Sequence, residues 1–160
     1  MKRIIIHWTA GTYIANATDK QHYHFCIDGH GNVIEGIYKP EDNECCTDGR
    51  YAAHTGGGNT GSIGVAICAM LNYQSPTKSG SFPITKLQCE RMFKLCAELS
   101  KKYNIAIQNI ITHYEFGKAY PTTSSAGKID ITYLPPYPNV RTSDVGNFIR
   151  SKVRWYRINI

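Results

Sequence analysis

Along the chain, β-branched runs with the look of buried strands take turns with stripes of helical period. Lys2–His7 carries three consecutive isoleucines, Ile4–Ile6, and predicts a buried strand ending in a histidine. His22–Asp28 and Asn32–Gly36 flank the turn Gly29-His30-Gly31, which predicts a hairpin. Ser62–Met70, SIGVAICAM, is almost continuously apolar after a glycine-rich loop, as expected of a central strand covered on both faces.

Helical spacing is clearest over Lys86–Tyr103. Thr85 can cap the first turn with Gln88 answering three residues on, and Cys89, Met92, Phe93, Cys96, Leu99 and Tyr103 form one stripe. Gln108–Thr112 predicts a short strand that stops at His113. Ser143–Trp155 predicts a second amphipathic helix with Val145, Phe148, Ile149 and Val153 inward. Between them, Gly117–Asn139 holds four prolines and little pattern, and loops of that length are often functional. The alternation gives an α/β class over residues 1–160, with no internal repeat and no domain boundary.

Composition narrows this picture only a little. The chain is 42% hydrophobic and 19% charged, and no run approaches the ~20 apolar residues of a membrane span. It shows no signal peptide, so synthesis in the cytoplasm is expected. A formal charge of +6 suits an anionic partner such as nucleic acid, a membrane surface or a cell wall. The cations are scattered, denser only at Arg150, Lys152, Arg154 and Arg157, so they read as solvated surface. Six cysteines without a C-x-x-C pair read as buried thiols rather than a disulfide framework.

Candidate chemistry centres on histidine. His7 and His113 each close an apolar strand, where catalytic groups of α/β domains gather. Neutral imidazoles suit zinc, although an isolated histidine is more often structural. In GKID, Asp130 could add a carboxylate and Lys128 an ammonium, but a K-x-D triplet by itself is usually a surface pair. His22 and His24 alternate with Tyr23, so on a strand Tyr23 would face away from both. His54 lies in the loop AAHTGGGN, whose glycines either approach a ligand or merely turn the chain. GGGNTG lacks the Lys-Ser/Thr of a P-loop, which leaves nucleotide binding without support.

In order, IIIHWTAG, YHFCIDGHGNVIEG, AAHTGGGNTGSIGVAI, ITHYEFGK and GKID span Ile4 to Asp130. Together they resemble the zinc-dependent N-acetylmuramoyl-L-alanine amidase family, which includes phage amidase-type lysozymes and animal peptidoglycan recognition proteins. The resemblance implies a single domain with a mixed central β-sheet flanked by helices and zinc at the bottom of a surface groove. It implies one Zn2+ per chain, held by His7, His113 and Asp130, with Tyr23 near the metal-bound water and Lys128 steadying an oxyanion. His54 falls on a substrate-groove histidine, and Trp8, Thr9 and Asn59 are further substrate-binding candidates. The implied partner is peptidoglycan, cut by a monomer without a separate wall-binding domain and released to the wall as an endolysin. Three departures stand out. Ala66 occupies the place of a glutamate found in a cytosolic branch, Ile131-Thr132 replace the usual Pro-Gly after the third ligand, and Trp8 replaces a second histidine.

Overall fold

The isoleucine run forms strand β1 (Arg3–Trp8), which lies between two parallel neighbours in the computed structural model, describing residues 1–160. One neighbour is β4 (Ser62–Ile67), buried along its whole length, and the other is β5 (Ile110–Thr112). Beyond β4 come β2 (Phe25–Ile27), parallel to it, and β3 (Val33–Glu35), antiparallel at the edge. The five-stranded order is β3-β2-β4-β1-β5, a mixed sheet as expected.

Strand alternation divides the two faces. Ile4, Ile6 and Trp8 join Ile63, Val65 and Ile67 in the main core, packed by helices α2 (Lys86–Lys102) and α4 (Val145–Asn159). The predicted Thr85–Gln88 capping box forms at the start of α2, and Tyr103 ends it. Ile5 and His7 point to the opposite face, beside Gly64 and Ala66 of β4. That face is where the functional candidates meet.

Two short helices depart from the expected pattern. Helix α1 (Ala17–His22) starts at a reciprocal cap between Asn16 and Asp19, so β2 begins only at Phe25. His22 therefore ends a helix and does not share a strand face with His24. Helix α3 (His113–Ala119) begins directly after β5, inside a stretch whose sequence reads mainly as strand end and loop. Its seven residues are too few to show a stripe, but Thr112 and Glu115 form a capping box across the first turn.

Of the six free cysteines, Cys26, Cys68, Cys89 and Cys96 are buried; Cys45 is exposed and Cys46 half-buried. No helix is long and apolar enough to cross a membrane.

Candidate metal centre

Three elements far apart in sequence deliver His7, His113 and Asp130 to one point. His7 comes from the end of β1. His113 is the first residue of α3, held by the Thr112–Glu115 cap, and Glu115 is clamped by two 2.8 Å bonds from Arg150 of α4. Asp130 comes from the long loop. Ile131, next to it, takes a φ of +67°, a conformation costing a side chain of this kind roughly 1–3 kcal/mol. Burial of Ile131 in the main core offsets that strain and turns Asp130 toward the histidines.

The geometry is tight. Nδ1 of His7 lies 3.1 Å from Nδ1 of His113, and Oδ2 of Asp130 lies 3.0 Å from each. All three residues are buried. The far nitrogens are already engaged. Nε2 of His7 is 3.0 Å from Nδ1 of His54, whose own Nε2–H donates to the Ser62 carbonyl at 3.2 Å. Nε2 of His113 is 3.0 Å from Oγ of Ser125, whose hydroxyl donates to the Gly56 carbonyl at 2.8 Å. Since a carbonyl only accepts, both histidines of the cluster carry their proton on Nε2.

Consequently three electron pairs face one another with no hydrogen between them. Burial pushes His7 below the ordinary imidazole value, against the pull of Asp130, and so favours its neutral form. Such an arrangement calls for a cation. Tetrahedral zinc with bonds of about 2.0–2.1 Å sets its ligand atoms about 3.3 Å apart, close to the spacing found. The donor set, two imidazoles and a carboxylate, fits zinc with a fourth position open.

Tyr23 and Lys128 also come to this place. The Tyr23 ring sits 5.1 Å from the His7 ring, and burial, helped by the charge of Asp130, pushes its phenol well up. It is thus a proton holder at neutral pH. Lys128 is exposed on the turn carrying Asp130, and its charge adds to burial in lowering His7.

The four expected substrate contacts, Trp8, Thr9, His54 and Asn59, all have partners within the fold. Trp8 is a core residue, its ring 5.0 Å from that of Tyr73, because adjacent strand residues point to opposite faces and position 7 takes the site face. Thr9 Oγ1 accepts the amide hydrogens of Gly11 and Ala69 and ties the strand ends together. His54, only 7% exposed, is turned inward to His7 and Ser62. Asn59 uses Oδ1 to accept the amides of His54 and Thr55, which fixes the loop. The glycines of that loop serve close approach: Cβ atoms at Gly56 and Gly57 would strike Ser124 and Thr123, and one at Gly58 would strike Phe116. Ser125, which the sequence reading missed, sits in a patternless loop and carries no local signal. None of the five main surface depressions is lined by His7, His113 or Asp130.

The N-acetylmuramoyl-L-alanine amidase family model matches residues 1–130, which contain every member of this cluster. The chain belongs to that family. Among solved structures, PlyL is 22% identical with a TM-score of 0.54, aligned over 94% of this chain and 82% of its own. A point mutant of PlyL is 24% identical with a TM-score of 0.53, over 96% and 84%. The N-acetylmuramyl-L-alanine amidase AmiD from E. coli, solved with the substrate anhydro-N-acetylmuramic acid-L-Ala-D-gamma-Glu-L-Lys, is 18% identical with a TM-score of 0.61. That alignment covers 95% of this chain and 57% of AmiD. At these identities the likeness bears on the amidase fold. No curated protein sequence matches the chain.

Proposed function

We propose that this amidase is zinc-dependent, cuts peptidoglycan between the lactyl carbonyl of N-acetylmuramic acid and L-alanine, and serves as a phage or prophage endolysin. The observation that carries the reading is the meeting of three electron pairs, from His7, His113 and Asp130, within 3.0–3.1 Å of one another. Those three atoms would hold Zn2+. Bound there, zinc would polarise the amide carbonyl and lower the pKa of a water toward neutrality.

The chain's own residues supply the rest. Tyr23, kept protonated and with its ring beside that of His7, would donate a proton to the departing alanine nitrogen or orient water. Lys128 carries a positive charge beside the cluster and would steady the oxyanion formed on the substrate. No carboxylate base stands next to His7 on the sheet, because its register partner is Ala66. This leaves Tyr23 the main proton-handling group. A net charge of +6 suits an anionic wall, and the activity belongs outside the cytoplasm, after release. One catalytic domain acting as a monomer completes the proposal.

The likeness to AmiD, whose structure holds an anhydro-muropeptide, favours a second reading in which such small fragments are the substrate. The two separate in one experiment. Purified protein is incubated with intact sacculi and with anhydro-muropeptides, and the products are read by mass spectrometry. Release of stem peptides with a free L-alanine amine from sacculi supports the endolysin. Cleavage of the small fragments alone supports the second reading. Retention on sacculi with no cleavage and no zinc would leave a binding protein without catalysis.

A further inference from the structure

We propose that His54 and Ser125 are positioning residues that choose the metal-binding tautomer of the two zinc-ligand histidines, a role resting on the zinc reading above. Each ligand imidazole has one proton and two places to put it. On Nε2 it leaves Nδ1 free for a metal; on Nδ1 it blocks the site. Asp130 biases the choice the wrong way, since its carboxylate lies 3.0 Å from both Nδ1 atoms and would accept a hydrogen from either. Something must hold the protons on the far side.

For His7 the holder is His54. Its Nε2–H is committed to the Ser62 carbonyl, so its Nδ1 has an electron pair and no hydrogen, 3.0 Å from Nε2 of His7. Thr55 Oγ1, 3.4 Å from the same nitrogen, is a poorer acceptor and itself lies 2.7 Å from Nδ1 of His54. For His113 the holder is Ser125, fully buried, whose hydroxyl hydrogen goes to Gly56 and whose oxygen therefore accepts from Nε2. The same device appears twice, built from different residue types on different loops. His54 is in turn set by Asn59 at its backbone and by Gly64, where a Cβ would stand 2.6 Å from the ring.

The test reads tautomers and metal binding separately. Ring-nitrogen NMR on the full chain, before and after addition of Zn2+, locates each histidine proton, and competition with a chelator gives the zinc affinity. In the wild type, His7 and His113 should carry Nε2–H in both states. His54→Leu should move the His7 proton to Nδ1 in the metal-free chain and weaken zinc binding on the order of 10–100-fold, the usual effect of losing such a partner. His54→Asn, with Oδ1 in place of Nδ1, should restore both readouts. Ser125→Ala removes only a hydroxyl and should do the same to His113, which keeps the proposal testable if His54→Leu fails to fold. Unchanged tautomers with wild-type zinc affinity in His54→Leu or in Ser125→Ala overturn it while leaving the zinc reading intact. A wild-type chain that binds no zinc overturns the zinc reading instead.

Discussion

Nδ1 of His7 and Nδ1 of His113, 106 residues apart in sequence, sit 3.1 Å from each other and neither has a hydrogen to share. Two buried acceptors at that distance repel unless a cation lies between them. Removing a ligand should therefore do more than removing a helper. His7→Ala, His113→Ala and Asp130→Ala should each lower zinc affinity by more than the ~10–100-fold of an outer partner and abolish wall cleavage. Chelator competition and turbidity loss of purified sacculi check this. Asp130→Ala with zinc and activity intact would remove Asp130 from the ligand set.

Tyr23 separates chemistry from metal binding. Its ring stands beside His7 without joining the cluster. Tyr23→Phe should keep about one zinc per chain yet slow turnover by roughly 10²–10⁴-fold, the range for a lost proton donor. Metal content measured alongside kcat decides it; a variant as fast as wild type would pass the proton-handling role to another group.

Gly64 should tolerate no side chain. A Cβ there would lie 2.6 Å from Cγ and Cδ2 of His54, and both are enclosed by the sheet and the loop. Overpacking of this kind costs about 1–3 kcal/mol. Gly64→Ala should lower the urea midpoint and weaken zinc binding together, because the ring it displaces is the one holding His7.

Acid should destabilise the fold well before the carboxylates titrate. Burial pushes His7 and His54 below the ordinary value of 6.5 and His24 down to about 4. Unfolded, all three bind protons near pH 6.5, so between about 6.5 and 4 the unfolded chain holds more protons than the folded one. Stability is full above that window and falls as pH drops through it, by about 1.4 kcal/mol per unit for each histidine still neutral. Urea unfolding of the metal-free chain at pH 7 and pH 5 should show the drop, and equal midpoints would contradict it.

Much of this was readable from local pattern. β1, β4, α2 and α4 lie where hydrophobic period and capping residues place them, with no end shifted by more than four residues. Both hairpin strands are shorter than expected, Phe25–Ile27 and Val33–Glu35, and α1 takes His22 from the first; a six-residue helix has too little period to announce itself. Trp8 could have been placed correctly from alternation alone: if His7 faces the site, its neighbour faces the core.

By itself the sequence determined which segments pair or coil and that histidines stand at two strand ends, since burial period and capping are decided within a few residues. It also set, through the order of its motifs, the family to which the chain belongs. Only the tertiary structure decided that Asp130 reaches both histidines, that Ser125 stands behind one and His54 behind the other, and which nitrogen each histidine leaves free. Those facts depend on hydrogen bonds between residues 12 to 123 positions apart, whose donors and acceptors become fixed only when separate loops pack together.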